Sequence, residues 1–415
     1  MVEVLPGRAG ALTTRDRIAR LFAHPPAQAV LAVAATILAV RRAGAWTNPQ
    51  FWAEDNLFYE RAYSGGWHAL FEPMSGYLHL VLRFIAWAAA CADPAFAPWI
   101  FVAGAAVATL YVVSRALASR CPLPRYAGAC ALAVMLVPDA REVLLNVVNL
   151  QWVLGAGLIL LLISRDPEDG LGWAHDLTAS AAIGLTGPFC IILAPLFVLR
   201  AGIRRTRASL VLAAVVFACA VLQAALVHGE PVAPADTPGH LVLGHLFLPM
   251  VARRIGGSIL LGALLAPETD PYTGTAAGLA TLAAVAYLAL RPGADRTARL
   301  VLGLAFAGLL LSVFYRTRHS LDLFFIPHAR ARYVFLPQLI AIWLLVSAAA
   351  QKGRAGRIAA AVAIWALVVN LPRLREPAYA DMHWSRYVPM IRAGEPVTVP
   401  TNMPGLEMHL PGRSK

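Results

Sequence analysis

Long apolar runs separated by short polar gaps make up most of this chain. The runs lie near 27–43, 96–113, 126–137, 143–163, 174–199, 208–227, 276–290, 300–314, 333–349 and 358–369. Shorter apolar pieces lie at 77–90 and 255–266. About 20 apolar residues span bilayer hydrocarbon as a helix. A spanning segment must also satisfy its own backbone hydrogen bonds, and no barrel-like alternation accompanies these runs. The pattern predicts an all-α polytopic membrane protein with about 10–12 transmembrane segments.

The charges between the runs suggest an orientation. Arg115, Arg120 and Arg125 form one basic cluster, and Arg200, Arg204, Arg205 and Arg207 another; 291–299 and 351–357 are also basic. Such loops mark the cytoplasmic side. Segment 1–26, with Arg8, Arg15, Arg17 and Arg20, reads as a cytoplasmic N-terminal segment before an uncleaved first span. The membrane domain then covers 27–370, with a first outer loop at 44–75, a late outer loop at 315–332 and an outer-face tail at 371–415 that can pack as a small cap. Arg41 and Arg42, at the outer end of the first span, are expected to snorkel toward head groups.

Two places resist a simple count. Full crossings by both 77–90 and 96–113 would put the Arg115 cluster outside, so the short piece 77–90 is expected not to cross. Run 174–199 carries Gly184, Gly187 and Pro188 near its middle. It is either one kinked helix or two half-helices, and only the half-helices keep the Arg200 cluster cytoplasmic.

Composition narrows the class. Of 415 residues, 59% are hydrophobic and 14% charged, and the many near-continuous apolar segments argue against a soluble domain with a polar surface. The net charge of +12 comes from 35 basic residues, of which only Lys352 and Lys415 are lysines. Their position between apolar runs points to loops and anionic head groups rather than nucleic acid. Cys91, Cys121, Cys130, Cys190 and Cys219 lie in or beside apolar runs without a CxxC pair, which gives no disulfide framework. No Walker-type loop is present, which argues against an ATP-driven pump.

Several polar groups are candidates for chemistry. Glu54 and Asp55 follow Phe51 and Trp52 in the first outer loop. A carboxylate pair there can act as general base or bind a divalent cation through oxygen; a solvated loop with aromatic anchors explains the same residues. His79 and Arg83 lie four apart on one expected helix face, at a depth where ionisable groups are usually paired or functional. Glu142, Asn146 and Asn149 fall at i, i+4 and i+7, a stripe that either faces a cavity or joins helices. Arg316, Arg318, Arg330 and Arg332 crowd a loop expected outside, against the charge bias. A phosphate held by guanidinium groups explains them, and so does pairing with Glu54 or Glu72. His319 and His328 do not read as a zinc site.

These features together resemble the GT-C superfamily of membrane glycosyltransferases that use polyprenyl-phosphate sugars, including bacterial O-antigen-type glucosyltransferase-like proteins. The residues that carry the likeness are Phe51-Trp52-Ala53-Glu54-Asp55, Gly76-Tyr77-Leu78-His79-Leu80, Arg83, Asn149-Leu150-Gln151-Trp152, Gly187-Pro188 and Arg332-Tyr333. The likeness spans roughly 27–370, and a large soluble C-terminal domain is lacking. It implies inverting sugar transfer at the outer face of a bacterial inner membrane to an envelope lipid, glycan or protein. Asp55 would be the base, with Glu54 as neighbour or substitute. Arg332, with Tyr333, Arg316 and Arg318, would hold the donor phosphate, and His79, Arg83, Glu142 and Asn149 would line the cavity. A magnesium or manganese ion, with Asp55 as ligand, is left open. The alternatives are a flippase or transporter of a lipid-linked or anionic solute and a non-catalytic scaffold of an envelope-assembly complex.

Overall fold

The structure is a computed structural model that describes residues 26–123, 126–138, 140–229, 244–262, 270–293, 295–403 and 405–413. The N-terminal segment before Pro26, and Glu230, Asp236 and His240 of the stretch after α9 below, lie outside the described residues. In chain order the main helices are α1 (Ala27–Arg41), α2 (Asp55–Gly65), α3 (Leu80–Cys91), α4 (Ala97–Ala116), α5 (Ala127–Leu136), α6 (Leu150–Ile163), α7 (Gly170–Gly184) and α8 (Phe189–Arg204). Then come α9 (Arg207–Gly229), α10 (247–261, π-helical over Ala252–Gly257), α11 (Pro271–Leu290), α12 (Arg296–Thr317), α13 (Ala331–Ala349), α14 (Arg354–Asn370) and α15 (Trp384–Ala393). Two short strands follow, β1 (Val397–Pro400) and β2 (Glu407–Leu410).

Among the described residues, five helices are long and apolar enough to cross a membrane: Pro94–Ala116, which is α4 with its leading turn, and α9, α11, α12 and α13. Helices α1, α3, α5 and α6 are apolar but shorter. The chain is therefore mostly helical and membrane-associated, and the count of 10–12 is finer than helix length alone carries. The centre of the bundle is α6 and α13, most of whose residues are buried. Helix starts follow their local sequence. Asp169 caps α7 by accepting from Gly172 N at 2.6 Å. Asp270 caps α11, with Pro271 in the first turn, where a missing N–H costs nothing.

One end of the bundle collects the basic loops. Arg120 pairs with both oxygens of Asp176 at 2.8 Å. Arg204 reaches Ser164 O at 2.8 Å and Asp166 at 2.9 Å. Asp295 and Ala298 line a small cleft with Arg165, Arg200 and Arg204. The other end collects 44–79, 140–149, 185–189, 315–333 and the tail.

Helix α3 belongs wholly to this second end. Its start is tied to the 185–187 turn by Leu80 N to Leu185 O, 3.0 Å, and by a His79–Thr186 bridge. Beyond its end, Asp93 pairs with Arg392 of the tail at 2.7 Å. Run 174–199 is two half-helices, α7 and α8. Both have their outer termini beside 164–169 and their inner termini at the 185–188 turn. Gly187 has φ +83 there, and a Cβ would collide with Gln151. At 1.5 Å per residue, the 16 residues of α8 lift this tip about 24 Å above the basic end.

Three expectations change. Arg41 and Arg42 do not snorkel: they are buried, 3% and 1% exposed. Both pair with Glu376 of the tail, Arg41 at 2.8 Å, and other donors of the two side chains reach carbonyls of Met135, Arg141 and Leu144. Glu142, Asn146 and Asn149 are not a helical stripe, because 141–149 is a string of turns with Leu145 at φ 58. Instead, the Asn146 and Asn149 side chains both donate to Glu142 O at 2.7 Å. The tail adds a small antiparallel β-ribbon to the all-α bundle, with Val397 opposite Leu410. Its buried faces carry Val397, Val399, Met408 and Leu410, and it sits on α2 through Asn56 to Glu407 O, 2.8 Å.

Candidate functional site

A cavity of about 280 Å³ opens at the tip of the α7–α8 pair. Its wall takes Glu54 from just before α2, His79 from just before α3, Asn149, Gln151 and Trp152 from the start of α6, and Phe189 from α8. Leu309, Ser312, Val313 and Arg316 come from one face of α12, and Arg332 and Tyr333 from the first turn of α13. Six of the sequence-predicted residues therefore meet here: Glu54, His79, Asn149, Arg316, Arg332 and Tyr333. They come from segments up to some 280 positions apart in the chain, and the half-helix break lets the early and late loops close over one space.

Asp55, the residue expected as the base, does not line this cavity. It is 1% exposed. Its Oδ1 accepts from Val148 N at 2.7 Å and its Oδ2 from Trp52 N at 3.1 Å. Both carboxylate oxygens are thus used to join the first loop to the 141–149 turns. Burial pushes its pKa up to about 7 against the pull of these two N–H donors. Glu54, one residue earlier, is half-buried and on the cavity wall. The chain reaches it through Ala53, whose φ of 44 is left-handed; this reversal puts the two adjacent acids in different environments.

The arginines also separate. Arg316 and Arg332 line the cavity, Arg316 exposed and Arg332 half-buried. The Arg332 backbone N–H donates to Glu142 Oε2 at 3.3 Å, and its Nη1 lies 3.9 Å from the same oxygen. Glu142 thus stands behind Arg332 rather than in the cavity wall. Arg318 leaves the site: its guanidinium lies 4.6 Å over the Tyr315 ring and donates to the Tyr315 carbonyl. Arg83 also lies off the wall, buried with its guanidinium 5.0 Å over the Phe58 ring. Phe58 in turn packs edge-on against His79 at 5.6 Å, so Arg83 and His79 share Phe58 rather than a helix face.

Gln151, Trp152 and Phe189 were not singled out individually as site residues. Trp152 packs edge-on against Phe189 at 5.0 Å and Tyr333 at 5.3 Å. The sequence signal was present: two polar side chains and an indole stand within four positions at the head of an apolar run.

Each Asp55 oxygen accepts one backbone N–H group, and the carboxylate is buried. Among the described residues, no three His, Cys, Asp or Glu side chains gather as metal ligands. Comparison of the chain with protein-family models, with curated proteins and with solved structures finds no match.

Proposed function

We propose that this protein is a glycosyltransferase that moves a sugar from a polyprenyl-phosphate donor to a hydroxyl of an envelope lipid, glycan or protein, in the manner of the GT-C superfamily. The observation that carries this reading is one cavity holding a carboxylate, Glu54, and two guanidinium groups, Arg316 and Arg332. General base catalysis needs the first; a departing phosphate needs the second. Glu54 takes the proton of the acceptor hydroxyl. The acceptor oxygen bonds to the anomeric carbon as the bond from that carbon to the phosphate oxygen breaks. The electron pair leaves on the phosphate, held by Arg316 and Arg332, and the anomeric carbon inverts. No step uses a metal.

The chain's path supports a cell-envelope setting. Among the described residues, helices α1, α4, α5, α6, α9, α11, α12, α13 and α14 make nine passes, and the α7–α8 pair enters and returns. This gives eleven membrane segments, with the arginine-rich end in the bacterial cytoplasm and the cavity facing outward. Purified protein in vesicles with a polyprenyl-phosphate hexose tests the reading. Arg316→Gln and Arg332→Gln should each weaken donor binding about 10–100-fold, the worth of a charge-assisted hydrogen bond; unchanged donor binding in both would count against it. A transporter is the second reading, favoured by half-helices that meet at the cavity. Solute movement across the vesicles without any sugar transfer would select it.

A further inference from the structure

Three residues of the cavity wall each carry a buried polar atom with no hydrogen-bond partner among the described residues: His79 Nδ1, Gln151 Oε1 and Trp152 Nε1. Buried polar atoms nearly always have partners, and each exception calls for an explanation. All three stand around the same tip. His79 bridges to Thr186, the Gln151 carbonyl lies against Gly187, and the Trp152 ring packs on Phe189.

Their chemistry is specific. His79 is 2% exposed, and its Nε2 faces Met74 O at 3.1 Å. A carbonyl only accepts, so Nε2 carries the proton and Nδ1 of the neutral ring is an acceptor. Gln151 Oε1 is a second acceptor, and the indole N–H of Trp152 is a donor only. Two acceptors and one donor do not suit a phosphate oxygen, which only accepts. They suit hydroxyl groups, which do both. The cationic groups, Arg316 and Arg332, reach the cavity from other elements. At about 280 Å³ the space is small beside the roughly 300–1,000 Å³ of small-molecule pockets, which favours one ring over a longer glycan.

We propose that His79, Gln151 and Trp152 form a subsite for a single uncharged monosaccharide, held through its hydroxyl groups at the α7–α8 tip. Taking that sugar as the transferred group rests on the glycosyltransferase reading; the binding itself does not. The test uses two probes on purified protein in nanodiscs, a methyl hexoside followed by saturation-transfer NMR and polyprenyl monophosphate without sugar. Trp152→Phe keeps a ring and removes the N–H; Gln151→Leu removes the acceptor. Each should weaken the hexoside about 2–10-fold, one hydrogen bond's worth, and leave polyprenyl phosphate binding unchanged. Arg316→Gln should do the reverse.

Hexoside binding unaffected by both wall variants overturns the subsite, as does wild-type protein that binds no hexoside. Loss of both probes together in Trp152→Phe also counts against a separate subsite. Hexoside binding sensitive to both variants, without polyprenyl phosphate binding, keeps the subsite and overturns the glycosyltransferase reading.

Discussion

Glu54 and Asp55 are adjacent in the chain but meet opposite surroundings, so their substitutions should have different effects. Asp55 joins Trp52 N and Val148 N. Asparagine there presents an N–H₂ group to one of two donors, and Asp55→Asn should cost about 1–3 kcal/mol of stability, read by thermal unfolding in detergent. The pH dependence has a definite sign. The folded state holds the Asp55 proton up to about 7, whereas an unfolded aspartate loses it near 4. Between those values the folded form binds more protons, so this residue's contribution to stability falls as pH rises and is flat above about 7. The fall should be absent in Asp55→Asn. A wild-type stability curve parallel to that of the variant from pH 4 to 7 would contradict the burial argument.

At the scale of elements, the tail holds the first loop in place. Glu376 is the shared counter-ion of two buried arginines. Tyr379 stacks on Trp52 at 4.5 Å, two residues before Glu54. Removing one partner of a buried ion pair costs about 3–5 kcal/mol. Glu376→Ala should therefore lower the unfolding temperature by several degrees, and an unchanged midpoint would remove the tail from this role. This contact also shows what could be read from the sequence. The long apolar runs were legible because hydrocarbon length is a local property of composition. Gly187-Pro188 signalled the half-helix break, and the shortness of 77–90 signalled that α3 stays at one end. The Arg41/Arg42 pairing was not legible, because its carboxylate lies more than 330 positions away. The burial of Asp55 away from the cavity was not legible for the same reason, since its partner Val148 is 93 positions on. The Glu142–Asn149 stripe failed because a 3.6-residue period assumes a helix. There, asparagine side chains hold turns by bonding a nearby carbonyl.

The molecule as a whole has two unlike ends. One gathers arginine loops around Asp166 and Asp176; the other gathers the cavity, the late loop and the tail. Cys91 is exposed at the cavity end, while Lys352 is exposed at the basic end. A membrane-impermeant thiol reagent should label Cys91 in cells whose outer membrane alone is opened. A Lys352→Cys protein lacking Cys91 should label only after the inner membrane is opened too; the reverse order would invert the proposed orientation. The function itself turns on which acid faces the acceptor. The decisive measurement is sugar transfer from a polyprenyl-phosphate hexose by purified wild-type, Glu54→Gln and Asp55→Asn proteins, each corrected for its folded fraction. Loss of a general base costs about 10²–10⁴-fold. Glu54→Gln should lose that much at unchanged stability, while Asp55→Asn should keep most of its rate per folded molecule. Transfer by Glu54→Gln at the wild-type rate would contradict the proposed mechanism.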